Sequence, residues 1–408
     1  MMPRGIIHNM YKPSQKILDK YADVLVKFAL NSGNGVKPGE VVFLQVPESA
    51  KPLLISLQRS VLKNSAHPII QYLPDEMSRE FYELASPDQL KFFPATFMKG
   101  RVKQADHFLM ILAETNFHEL EGIDPQLIME RNMVFKPYKD WRDNKENKGK
   151  LTWTIGLFPT PAMATEAKLT LRQAWQQVIK ACFLNYADPV KKWQTVQKKS
   201  ETIRKKLNKL EIETVNIKSK DTDLNITIGQ NRQWLGGGGR NIPSFEIFTS
   251  PDWRGTNGHI YFDQPLYRQG NLIKNIHLTF KNGVVIESKA GYGEKYLQQL
   301  IKTPNSDKIG EFSLTDKRFS KINKFMAETL YDENFGGPFG NTHIALGSAY
   351  KDTFNGKLNK LLPKDWENLG FNDSAVHTDI ISTENRVVTA TLKSGQTIVL
   401  YKDGQFQI

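Results

Sequence analysis

The chain has 408 residues, a length at which one core gives way to two domains. Apolar residues make up 39% and charged residues 24%, which excludes a disordered chain, and no apolar run approaches the ~18 residues that span a bilayer. The net charge of +12 raises a nucleic-acid or anionic-surface partner, but no nucleic-acid module accompanies it.

The opening stretch MMPRGIIHNMYKP lacks the apolar core of a signal peptide. Cys182 is the single cysteine, so no intrachain disulfide can form and a cytoplasmic protein away from membranes is expected. Residues from about 14 to 30 place Ile17, Leu18, Tyr21, Val24, Leu25 and Phe28 on one helical face. After the turn Lys37-Pro38-Gly39, the valine-rich run Val41–Val46 is too short for a helix and predicts a buried strand. A second helix follows through Leu53, Leu54, Leu57, Val61 and Leu62, then short apolar runs at Ile69–Leu73 and Phe108–Leu112. Strand, helix, strand in this order predicts an α/β domain with a mostly parallel sheet over residues 1–190, and His67 falls within it.

From about Asp188 to Leu210 one long polar helix is expected as a connector. Its basic run, Lys191, Lys192, Lys198, Lys199, Arg204, Lys205, Lys206 and Lys209, is explained by a solvated helix face. Beyond it the pattern changes. Ile273–Phe280 and Val284–Ser288 flank Lys281-Asn282-Gly283, a strong hairpin signal. Val387–Leu392 and Thr397–Tyr401 flank Ser394-Gly395, a second hairpin, and helix-like stretches lie near Tyr296–Ile301 and Phe319–Leu330. An α+β domain over residues 191–408 is the expectation. The run Gly236–Gly239 lacks the lysine and spacing of a phosphate loop and is expected to be a mobile loop.

Candidate chemistry gathers in this second half. In SAVHTDI an extended backbone would turn His377 and Asp379 to the same side, a common way to hold a divalent metal; a surface histidine beside an exposed aspartate is the plain alternative. The segment DENFGGPFGNTHIALGSAY carries Glu333, His343 and Tyr350, with glycines that let a backbone bend around a site or merely connect two elements. Glu246 in NIPSFEIFTSPDWRG and Glu311 in KIGEFSL sit among apolar residues, either inside a site or on the polar face of an edge strand. No HExxH motif is present. Together these carboxylates and two histidines could form a two-metal hydrolytic site in which carboxylates bridge the ions and a bound water is ionised.

These segments, with YADVLVKFALNSGNGVKPGEVVFLQVP and WTIGLFPTPAMA upstream, closely resemble the aminopeptidase T and aminopeptidase S family of bacterial metallopeptidases over nearly the whole chain. The resemblance implies two domains, a dinuclear metal site in the C-terminal one, and a homodimer. It implies metal ligands at Glu246, Glu311, Glu333, His343, His377 and Asp379, with Glu311 bridging, and an active-site tyrosine at Tyr350. The activity it implies is removal of the N-terminal residue of short peptides with a free N-terminus, by two divalent ions whose identity (Zn, Co, Mn or Mg) the ligand set leaves open. In that mechanism Tyr350 donates a hydrogen bond to the oxyanion, and Glu311 or Glu333 relays a proton to the leaving amine. Two readings stand beside it: a dipeptidase or other metallohydrolase on the same scaffold, and a basic nucleic-acid-binding protein.

Overall fold

The computed structural model describes residues 11–236, 238–268 and 271–408; the opening segment MMPRGIIHNM and Gly237 of the glycine run lie outside them. The chain begins with helix Gln15–Val24, capped by the Ser14 side chain on Ile17 N, and widens into a π-turn over Leu25–Ala29. This face buries Leu18, Tyr21, Val24, Leu25 and Phe28 against the first sheet, as the periodicity predicts. Helix Lys51–Lys63 buries Leu53, Leu54, Leu57 and Val61 in the same core.

That sheet has five parallel strands in the order His67–Leu73, Val41–Pro47, His107–Leu112, Thr152–Leu157 and Asn241–Ile242. The strand opened by His67 forms its exposed edge. Its opposite edge, Asn241–Ile242, comes from beyond residue 190, and Ile242, Phe245, Ile322, Leu330 and Tyr331 pack into the first core. The division expected at 190/191 falls in the first turn of helix Pro189–Leu207. Along this helix Trp193, Ser200, Ile203 and Leu207 are buried while Lys191, Lys198, Lys199, Lys205 and Lys206 face water.

The rest of the chain builds two antiparallel sheets. The larger has nine strands and contains both predicted hairpins, Asn271–Lys281 with Val284–Tyr292 and Val387–Leu392 with Thr397–Lys402. In the first hairpin Asn282 and Gly283 both take positive φ (50° and 85°), as a tight turn between twisted strands requires. Helix Glu294–Lys302 forms where expected. The helix expected over Phe319–Leu330 does not; only Thr329–Asp332 is helical. Side chains take the amides that a helix would have used. The Asp332 carboxylate accepts from Met326 N and Glu328 N, and Ser320 Oγ accepts from Ile322 N.

The smaller sheet runs His377–Ser382, Asn341–Gly347, Ile309–Thr315, Glu246–Thr249 and Leu235–Gly236. One face, through Ile247, Phe312, Leu314, Ile344, Leu346 and Ile380, packs into the core shared with the nine-stranded sheet. Alternation then commits the other face to Glu246, Glu311, His343, His377 and Asp379.

Candidate metal centre

Strand register brings these residues together. Glu311 pairs with Ala345, which pairs with Asp379; Ser313 pairs with His343; Thr315 pairs with Glu246; Gly347 pairs with His377. The partners Ala345, Ser313 and Gly347 are small, so the longer chelating side chains converge over them. Gly347 has φ 106°, and a Cβ there would lie 2.2 Å from the Val376 carbonyl oxygen, so the strand carrying His377 can approach this closely only at glycine. Glu333 arrives separately, at the C-terminal end of helix Thr329–Asp332.

Glu311 is the centre of the group. Its Oε1 lies 3.3 Å from His343 Nε2 and its Oε2 lies 3.4 Å from His377 Nε2. His343 Nε2 is also 3.3 Å from Glu246 Oε2, and His377 Nε2 is 3.3 Å from Asp379 Oδ1. Three sets, Glu246–Glu311–His343, Glu311–His377–Asp379 and Glu333–His343–Asp379, each offer ligand atoms within 4.8 Å of one another. All six residues named from the sequence therefore meet in one place.

The surroundings orient them. The Ser348 carbonyl accepts a hydrogen bond from His377 Nδ1 at 2.7 Å, which leaves Nε2 unprotonated toward the carboxylates in the neutral imidazole. Asn241, on the edge strand of the first sheet, donates from Nδ2 to Glu333 Oε1 at 2.8 Å, and Asn334 Nδ2 reaches the same oxygen at 3.3 Å. Buried His343 Nδ1 has no hydrogen-bond partner among the described residues.

Four carboxylates share this buried space with two imidazoles. Burial, with the neighbouring Glu311 and Asp379, raises the Glu246 pKa, and burial with Glu246 and Asp379 holds Glu333 well above the carboxylate range. Burial opposes charge on the imidazoles, yet the carboxylates outweigh it: His343 rises well above its ordinary value beside Glu246 and Glu311, and His377 is pushed up to about 10 beside Asp379. Against its own burial, Asp379 falls to about 2 because His377 faces it. Four acidic side chains crowded into one buried space repel one another and suit cations between them. The oxygen and imidazole donors, their spacing and the orphaned His343 nitrogen fit divalent ions.

Tyr350 stands at the mouth. Its ring lies against His377 and Phe248, and the Arg240 guanidinium sits 5.4 Å from the ring centre. Arg240 itself is held by Glu146 at 2.8 Å and Asp352 at 2.5 Å. Sequence reasoning missed Asn241, Arg240, Asp352 and Ser348; Asn241 and Ser348 lie within NIPSFEIFTSPDWRG and DENFGGPFGNTHIALGSAY, but all four act through contacts with residues distant in the chain. Tyr350 and His377 line a cleft of about 1130 Å³ between helix Lys136–Asn147, the end of the parallel sheet and the loop 348–375. No helix among the described residues is long and apolar enough to cross a membrane.

A profile of the thermophilic metalloproteases (M29) matches residues 14–406. Aminopeptidase PepS of Streptococcus thermophilus is 25% identical over 96% of this chain and 98% of its own, and aminopeptidase AmpS of Bacillus subtilis (strain 168) is 25% identical with the same coverage. The wild-type AmpT structure from Thermus thermophilus superposes with a TM-score of 0.81 at 23% identity, over 97% of this chain and all of that one, and so shares its fold. With the match spanning almost every residue, this chain belongs to the thermophilic metalloprotease (M29) family and is a metal-dependent hydrolase of peptide bonds.

Proposed function

We propose that the protein is an aminopeptidase that removes the N-terminal residue of short peptides at a centre of two divalent ions. The observation that carries this reading is Glu311, whose two oxygens face different imidazoles, with Glu246 beside one and Asp379 beside the other. That arrangement would give two ligand sets that share Glu311. Glu246, Glu333 and His343 would hold one ion and His377 and Asp379 the other, with Glu311 between them. When bound, the ions supply Lewis acidity toward the scissile carbonyl and toward water. The relatives named aminopeptidases support the choice of the N-terminal bond.

The chain's own residues then have separate tasks. The Tyr350 hydroxyl donates a hydrogen bond to the carbonyl oxygen as negative charge develops there. Burial, with Glu311 and Asp379 close by, holds its pKa well above the ordinary range, so it stays a protonated donor at neutral pH. Glu311 or Glu333 takes the proton from the attacking water and returns it to the leaving amine. Release of free amino acids from unblocked and N-acetylated peptides, before and after chelation, tests the reading. Stepwise release from unblocked peptides alone, lost on chelation and restored by divalent ions, is expected. Equal cleavage of acetylated peptides, or full activity in protein shown metal-free by elemental analysis, would overturn it.

A further inference from the structure

The walls of the cleft carry eight cationic and six anionic side chains. The anions are nearly all engaged: Asp140 and Asp373 pair with Lys136, Asp143 with Lys139, and Glu146 and Asp352 with Arg240. Glu367 is exposed at the rim. Several cations have no such partner. Arg142, Arg268, Lys308 and Lys351 line the cleft, are half-buried, and form no ion pair among the described residues. Arg142 lies against Phe108 and Tyr138 with its buried Nε unpartnered. Lys308 sits 4.5 Å from the Trp253 ring centre and Lys351 5.5 Å from that of Trp366. Aromatic backing of this kind helps fix a cation in place. Lys308 Nζ also donates to Asn305 Oδ1 at 2.6 Å, a neutral partner that leaves its charge uncompensated. The same cleft holds His377 and Tyr350, so a peptide whose first residue lies at the candidate metal centre has this cavity for the remainder of its length.

We propose that these four cations receive a carboxylate of the substrate downstream of the scissile bond, either the free C-terminus of a short peptide or an acidic side chain of a longer one. The inference rests on the aminopeptidase reading and narrows its substrate class. Half-buried cations without an ion-pair partner favour an anion more than exposed ones do, because less solvent screens them; Arg268, whose charge is also felt by Asp379, does so least. A nucleic-acid phosphate fits less well, since these groups line a cavity leading to the candidate site and not an open face.

The test compares matched tripeptides as free acid and C-terminal amide, together with amidated tetrapeptides ending in Glu or Gln, on the metal-loaded enzyme. The free acid is expected to show kcat/KM higher by roughly 10-fold, mainly through KM, and the Glu peptide should exceed its Gln twin. The preference should shrink at high ionic strength and in Arg142→Gln and Lys308→Gln, whereas Arg142→Lys should retain most of it. A preference for free acid without one for Glu assigns the pocket to the chain terminus; the reverse assigns it to the side chain. Equal kcat/KM across every pair, or an acid preference untouched in both Gln variants with folding verified by circular dichroism, would overturn the proposal, as would equal inhibition of all peptides by an oligonucleotide. Failure to hydrolyse any of the peptides would sink the aminopeptidase reading separately, and calorimetric binding of the same pairs would still decide the carboxylate preference.

Discussion

The Tyr350 ring lies 4.8 Å from the His377 ring, inclined at 58°, so the phenol and the imidazole share one wall at the entrance to the carboxylate cluster. Tyr350→Phe keeps the ring and its packing and removes the hydroxyl alone. If that hydroxyl stabilises the oxyanion, kcat and kcat/KM should fall together by on the order of 10²–10³, with metal content unchanged. Steady-state kinetics on an unblocked peptide, with metal measured in the same samples, decides this. Unaltered kcat with full metal would remove Tyr350 from the chemistry.

Glu311→Gln should reduce turnover to near background while the fold persists, because a neutral amide bridges two cations poorly. Alteration of His67, the first residue of the exposed edge strand, should leave activity close to wild type. Comparable losses in two folded variants would count against the bridging assignment.

Asn241 offers a subtler test. Its amide holds Glu333 at 2.8 Å, so Asn241→Ala should weaken metal affinity by ~10–100-fold, the usual consequence of losing a hydrogen bond to a ligand. Excess metal should restore much of the lost activity. Metal titration followed by activity checks both halves, and an unchanged affinity would show that Asn334 alone suffices to orient Glu333.

Glu328 should make stability depend on pH in a defined direction. Burial raises its pKa from 4.5 to about 7, with Glu114 nearby adding to the shift. A carboxyl raised in the folded state contributes its stability below the unfolded pKa and loses it as pH climbs through the folded one. Wild type should therefore lose ground to Glu328→Gln between about pH 4.5 and pH 7, and the gap should then stay constant. Denaturant unfolding of both proteins across pH 4–8 gives the curve. A gap that does not change with pH would show that Glu328 titrates normally.

The sequence carries the elements of this fold more openly than their pairing. Val41–Val46, the face from Ile17 to Phe28 and both hairpin turns follow from local periodicity and turn chemistry, and they form as expected. Phe319–Leu330 imitates a helix because its apolar residues fall at helical spacing. Local hydrogen bonds from nearby backbone amides to the Asp332 and Ser320 side chains overrode that preference. His377 and Asp379 could be read as sharing a side from their spacing alone. That Glu246, Glu311 and His343 join them depends on register between strands far apart in the chain, which no local window contains. The family resemblance named all six because it compares whole chains. It left Asn241, Arg240 and Asp352 unnamed, although Arg240 ties the Tyr350 loop to Glu146 of the first half.

The edge strand Asn241–Ile242 lies in the parallel sheet, yet its asparagine grips a carboxylate of the antiparallel half. A fragment beginning after residue 190 would contain every candidate ligand and still lack Thr152–Leu157, the strand against which Asn241 is set. Full metal affinity is thus expected only once both halves have docked. Metal loading would then report on the docking of the two halves, since an ion bound at full affinity requires the parallel sheet to be in place.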